Sequence, residues 1–170
     1  ALAAEALKRG VQQLGSEHRH ERFGTAAVLS VICRSHLVQC LAAMGRFSEG
    51  KELAGEGIQI GEEVDHATSL IHMTCSAGIL YLLQGEFEAA ILHLERSLEL
   101  CQSANIRVYV PFTASRLGCA YAHAGRRSEA LPYLEQGVDG SLNSGRAAFV
   151  ALSAASLAEG LLFNGRVDEA

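Results

Sequence analysis

The sequence predicts an all-α solenoid built from antiparallel helix hairpins. A glycine recurs every 40 residues, at Gly45, Gly85, Gly125 and Gly165, and each one opens a similar hexapeptide: GRFSEG, GEFEAA, GRRSEA and GRVDEA. Apolar residues keep helical spacing on both sides of these glycines. A fixed period of this size is the signature of a stack of one supersecondary unit. Each repeat then buries its apolar face only against its neighbours.

Each repeat is predicted to be two helices joined at the glycine. In the third repeat, Leu117 and Tyr121 lie at helical spacing before Gly125, and Leu134 and Val138 do so after it. Glycine adopts the left-handed conformation that ends a helix, so a second helix can turn back along the first. In chain order we expect eight helices, near residues 1–15, 21–44, 48–63, 66–84, 88–103, 107–124, 128–142 and 146–164.

Both ends of the chain fall inside a repeat. Leu7, Gly10 and Val11 have the spacing of the second helix of a hairpin, and the sequence ends just after the fourth hexapeptide. We therefore expect residues 1–170 to be a single repeat domain of about four repeats, excised from a longer protein. Within it, Pro111 is tolerated only in a first helical turn, so the sixth helix is expected to begin nearer Val110.

The motif of the third repeat resembles the tetratricopeptide repeat (TPR). Its pattern LG..Y...G...EA is read at Leu117-Gly118, Tyr121, Gly125 and Glu129-Ala130. The second repeat keeps part of the motif, the first and fourth keep less, and the resemblance covers nearly the whole chain. It implies a right-handed superhelix whose concave groove, lined by the first helix of each hairpin, binds other proteins without catalysis.

The resemblance also implies which residues line this groove. They occupy matching positions on the four first helices, and the set is neutral and largely apolar. It lacks the Lys, Asn and Arg cluster with which some family members hold a C-terminal carboxylate, so an apolar or amphipathic helix, or a peptide, is the expected ligand. The residues are Ile32, Ser35, Gln39 and Ala42; His72, Cys75, Ile79 and Leu82; Phe112, Ser115, Cys119 and His123; and Leu152, Ala155, Glu159 and Phe163.

Other interpretations of the same residues stay open. Part of the lining can pack against further repeats or a second subunit, and uncapped end repeats favour a homodimer. A sensor pocket for a small apolar effector is a third possibility. The abundance of small residues resembles the helical-repeat tails of bacterial signalling proteins, such as class III nucleotide cyclases and ATP-dependent transcriptional regulators, which implies a regulatory module.

Metal binding and catalysis are not expected. His72 with Cys75, and Cys119 with His123, each share a helix face, but the two pairs fall at different heights along parallel helices, too far apart for one zinc ion. The His-containing segment from Glu17 to Glu21 is expected to be a solvated linker. Motifs for phosphate loops, nucleophile elbows and zinc proteases are absent from the sequence, so no cofactor is expected.

Composition narrows the partners and the compartment. The net charge of -5 offers no basic surface for nucleic acid. No apolar run is long enough to predict a membrane span. Five unclustered cysteines within helical patterns indicate free thiols in a reducing compartment, which predicts a cytoplasmic protein.

Overall fold

The computed structural model describes residues 2–15, 17–144, 147–166 and 168, and within these ranges the chain is helical and without strands. The predicted all-α fold of consecutive helix pairs is confirmed. Eight α-helices and one 3-10 turn, Arg107–Tyr109, make up this part of the chain. The α-helices are α1 Leu2–Leu14, α2 Leu29–Ala43, α3 Phe47–Glu63, α4 Ala67–Gln84, α5 Phe87–Ser103, α6 Val110–His123, α7 Arg127–Asn143 and α8 Ala147–Phe163.

The four periodic glycines end helices as predicted. Gly45, Gly85, Gly125 and Gly165 have φ between 71° and 86°, in the left-handed region that favours glycine. The amide that follows each glycine donates back to the carbonyl five residues earlier, at 2.9 to 3.0 Å. This is the Schellman arrangement, which satisfies carbonyls that the helix end would leave unpaired.

The second helix begins later than predicted, at Leu29 rather than near residue 21. Phe23 and Gly24 adopt left-handed φ values of 49° and 79°, which no helix can accommodate. The hydroxyl oxygen of Thr25 lies 2.6 Å from the carbonyl oxygens of both Arg22 and Ala27, and its single proton, donated to one or shared between them, fixes this turn. Helix α6 begins at Val110, so Pro111 lies in its first turn as expected.

Helix pairs cross closely through glycines. A Cβ atom on Gly57 of α3 would lie 2.6 Å from Sδ of Met73 on α4. In α6, a Cβ on Gly118 would lie 2.6 Å from Cγ of Leu134 on α7. Further along α3, Gly61 meets Leu70, which precedes Met73 on α4. Further along α7, Gly137 meets Ser115, which precedes Gly118 on α6, so both pairs are antiparallel.

The helices group into two compact units, Ala1–Glu86 and Phe87–Ala170. In the first unit, α2 packs on α1, α3 and α4, and α3 packs on α4. Its core contains Val31, Val38, Ile60, Met73 and Leu80. In the second unit, α6 packs on α5, α7 and α8, and α7 packs on α8.

Candidate functional site

In the first unit, the predicted groove residues lie on α2 and α4, but three of them are buried and closed to a ligand. Ser35 is fully buried, and its hydroxyl donates to the carbonyl of Ile32 at 2.8 Å. Cys75 is also buried. Gln39 donates from Nε2 to Oγ of Ser76 at 2.9 Å, which ties α2 to α4. Ala42 is buried as well, whereas Ile32, Ile79 and Leu82 are half-buried.

His72 is the most perturbed imidazole on this face. Burial, together with the nearby His36, lowers the pKa of His72 to about 4. His36 is exposed, and its Nδ1 lies 2.9 Å from the carbonyl oxygen of Ile32. His72 is therefore a neutral, partly buried side chain at neutral pH.

In the second unit, α6 and α8 place two rows of side chains next to each other, and we call this surface the α6/α8 strip. Phe112 and Phe149 contact each other near the start of the two helices, with ring centroids 5.4 Å apart. His123 and Phe163 contact each other near their ends, at 5.1 Å. The two helices therefore run parallel. The strip comprises Phe112, Arg116, Cys119 and His123 on α6, and Phe149, Ser156, Glu159 and Phe163 on α8.

One end of the strip combines aromatic rings with a contact between a histidine and a carboxylate. His123 stacks on Phe87 of α5 with centroids 5.3 Å apart, and meets Phe163 edge to face. Its Nε2 lies 3.3 Å from Oε1 of Glu159. Three of the predicted groove residues, His123, Glu159 and Phe163, are thus brought together.

The middle of the strip is polar but not reactive. Cys119 is buried, and the loss of solvation raises the pKa of its thiol, with a hydrogen bond to Ser156 acting in the opposite direction. A thiol with a raised pKa is a poor nucleophile. The Ser156 hydroxyl also donates to the carbonyl of Leu152 at 3.0 Å.

Ser115 does not belong to this surface. A Cβ atom on Gly137 of α7 would lie 2.8 Å from Cβ of Ser115, so Ser115 packs inside its own hairpin. It is buried, with a hydroxyl that has no hydrogen-bond partner. By contrast, Leu152 and Ala155 of α8 are exposed.

Sequence reasoning missed Arg116, Phe149 and Phe87. The guanidinium of Arg116 lies over the Phe112 ring, 5.3 Å from its centroid. Its Nε is buried and has no hydrogen-bond partner. Arg116 follows Phe112 by four residues, so helical spacing alone could have placed it on this face. The strip therefore carries one cation, Arg116, beside the one carboxylate of Glu159.

The segment from Glu17 to Glu21 is solvated as expected, with every residue except Arg19 exposed, and it is also anchored to α3. Nε2 of His20 lies 2.9 Å from Oε2 of Glu63 at the end of α3, and Nη2 of Arg19 lies 3.6 Å from the same carboxylate. The carbonyl of Arg19 accepts from the Ser30 hydroxyl at 2.6 Å. In the described ranges, no three His, Cys, Asp or Glu side chains are grouped as metal ligands would be.

The fold and this surface define a helical-repeat protein. A family model described as tetratricopeptide repeat matches residues 113–141, which contain most of α6 and α7. The resemblance predicted from the sequence motif is thereby confirmed. TPR-like repeats generally mediate protein–protein interactions, and they are typically non-catalytic scaffolds.

Two solved structures share the fold over 98% of this chain and 79% of their own, with 21% sequence identity. Both are crystal structures of nearly identical TPR-like repeats from Podosopora anserina, in a protein named for the kinesin light chain, and one of them is a point variant. Their TM-scores are 0.66 and 0.64. A search of curated proteins finds no match. Among the described residues, no helix has the length and apolar character needed to span a membrane.

Proposed function

We propose that the chain is a non-catalytic protein-interaction module that binds a helix or an extended peptide along the α6/α8 strip. We propose the same role for the corresponding face of α2 and α4 in the first unit. This face carries Ile32, Gln39, Ile79 and Leu82. A cytoplasmic location is part of it too, because all five cysteines are free thiols.

The observation that supports this function is the arrangement of aromatic rings around Arg116. Half-buried rings lie at both ends of the strip, and Phe112 and His123 are separated by roughly 16 Å along the helix axis. Between them lies Arg116, a half-buried residue whose guanidinium stacks on Phe112. A ligand with two apolar anchors and a carbonyl or carboxylate between them would cover the rings and pair with this cation.

Peptide display tests the proposal. Peptides of about 16 residues would be selected on the wild-type chain, and their affinities then measured for Arg116→Gln and Phe163→Glu. Interface hot spots are worth about 1–2 kcal/mol or more, so each change should weaken the binding of the selected peptides at least about fivefold.

The matched control is Leu92→Glu on α5. Leu92 is 67% exposed and lies outside the strip, so its replacement should leave the affinities unchanged. Thermal melts of all three variants would establish that they fold. Peptides that bind Arg116→Gln and Phe163→Glu as tightly as the wild type would show that the strip is not the binding surface.

Self-association through α8 is a second candidate. This helix carries a single charged residue, Glu159, and a helix that is apolar on all sides is normally buried on all sides. Yet Leu152 and Leu162 are 40% and 54% exposed. Sedimentation equilibrium would test this: a dimer that Leu152→Glu with Leu162→Glu dissociates supports it, and a wild-type monomer at all concentrations contradicts it.

A further inference from the structure

The second unit contains a cleft that the interaction strip does not use. It lies between the end of α5, the 3-10 turn at Arg107–Tyr109, the start of α6 and one side of α7. Its volume is about 760 Å³. Ligand sites commonly have about 300–1,000 Å³, so the cleft is large enough for several residues of a peptide.

Both prolines of the chain line this cleft. Pro111 packs closely on α7: a Cβ atom on Gly140 would lie 2.5 Å from Cγ of Pro111. Pro132 lies inside α7, where its ring cannot donate the usual helical hydrogen bond. With Val110, the two rings form a stiff apolar floor. A preformed surface of this kind binds a ligand without first having to become ordered.

The α7 wall of the cleft carries two carboxylates, against the single cation of Arg107 elsewhere in the lining. Glu135 and Asp139 both line it, one helical turn apart. Among the described contacts, neither carboxylate has a hydrogen bond or an ion pair. Like charges at this spacing repel each other within a helix. A cation placed between them would relieve this repulsion.

The remaining polar groups of the cleft suit a polypeptide backbone. Gln102, Asn105 and Gln136 contribute carboxamides, each of which can donate and accept hydrogen bonds. On the opposite side from α7, Arg107 donates from Nε to Oδ1 of Asn105 at 3.4 Å. Its other N–H groups can donate to carbonyl oxygens of a ligand.

We propose that this cleft binds a basic segment of an extended polypeptide. A lysine or arginine side chain of the ligand lies between Glu135 and Asp139, its aliphatic stem packs on the prolines, and its backbone bonds to the carboxamides and Arg107. The cleft and the α6/α8 strip are formed by different residues, so the two sites can be tested separately.

The test is an NMR titration of the whole chain with an amidated hexapeptide of alternating lysine and alanine. We expect saturable shifts centred on Gln102, Asn105, Gln136 and Gly140. A hexapeptide of alternating glutamate and alanine should cause none. In Glu135→Gln with Asp139→Asn, the lysine peptide should bind about two- to thirtyfold more weakly, since two exposed charge pairs are lost.

The matched control is Glu17→Gln with Glu21→Gln, which removes two carboxylates at the same spacing from outside the cleft. It gives the chain the same net charge as the cleft variant, so attraction to the overall negative charge is held constant. Unchanged binding in this control, together with weaker binding in the cleft variant, supports the proposal. Equal binding to both variants, or shifts centred elsewhere, would overturn it.

Discussion

A glycine at a helix crossing has no Cβ atom, so the neighbouring helix can pack closely against its backbone. A Cβ atom on Gly137 would lie 2.8 Å from Cβ of Ser115 and 3.0 Å from its Cα, and backbone cannot swing aside as the end of a side chain can. Gly137→Ala should therefore lower the free energy of unfolding by about 1–2 kcal/mol, although alanine favours the helix by about 1 kcal/mol. Urea denaturation would measure the change.

Gly55 provides the control for this prediction. It is an exposed glycine within α3, and a Cβ atom there would meet nothing within 4 Å. Gly55→Ala should raise the free energy of unfolding by about 0.5–1 kcal/mol through helix propensity alone. If both substitutions stabilised the chain, a Cβ atom at the position of Gly137 would be tolerated, and the close helix crossing would not require glycine there.

His72 makes stability depend on pH. Its pKa is lowered to about 4 in the folded chain, against about 6.5 when unfolded. Above pH 6.5 the His72 imidazole is neutral in both the folded and the unfolded state, so its titration does not change the free energy of unfolding. As the pH falls from 6.5 towards 4, the unfolded state binds the proton first, so stability falls by about 1.4 kcal/mol per unit.

His72→Gln should remove this part of the pH dependence. Between pH 7 and 4 the variant should lose about 2–3 kcal/mol less stability than the wild type, as measured by urea denaturation at each pH. Other groups with shifted pKa values, such as His66 and Glu63, contribute equally to both curves. Parallel curves for the two proteins would contradict the assignment.

The sequence could place residues on a helix, but not always on the correct side of it. Ser115 and Cys119 are four residues apart, yet Ser115 packs against Gly137 while Cys119 contacts Ser156 of α8. On a helix that packs between two partners, a change of one or two positions along the sequence moves a side chain from one packed face to the other. Only the packed neighbours decide which face remains accessible.

At the scale of elements, local chemistry explains both the successes and the error. The helix ends at the four glycines were predictable because one residue type supplies the required conformation. The start of α2 was not, because Phe23 adopts a positive φ that its sequence does not signal. That turn depends on contacts distant in sequence, such as the hydrogen bond from the Val28 amide to Oγ of Ser69 at 3.0 Å.

Pro132 in α7 leads to a prediction at this scale. Proline in a helix interior costs about 3 kcal/mol, since it removes a backbone hydrogen bond and crowds the preceding turn. Pro132 is exposed and makes no compensating burial. Pro132→Ala should raise the free energy of unfolding by about 1–3 kcal/mol in urea denaturation.

Pro111 is the comparison for Pro132. It lies in the first turn of α6, where the amide would have no helical partner. Pro111→Ala should therefore give no comparable gain, and the loss of ring packing on Gly140 should make it neutral or destabilising. A similar stabilisation by both substitutions would show that the position within the helix does not matter.

For the whole molecule, the period of 40 residues predicted the repeat but not the grouping of helices into two units. Periodicity treats each junction between repeats alike, so it carries no information about this grouping. The cysteine thiols allow the unfolding of each unit to be monitored separately. Cys75 belongs to the first unit, and Cys101 and Cys119 belong to the second.

Thiol labelling tests whether the second unit opens as one body. Burial raises the pKa of Cys101 to about 11 and also raises that of Cys119, so both react slowly while folded. Cys101 lies on α5 and Cys119 on α6, which pack together. Iodoacetamide labelling in increasing urea, read by mass spectrometry, should therefore expose both thiols at one midpoint. If Cys101 became reactive at clearly lower urea than Cys119, α5 would detach from α6 before the rest of the unit unfolds.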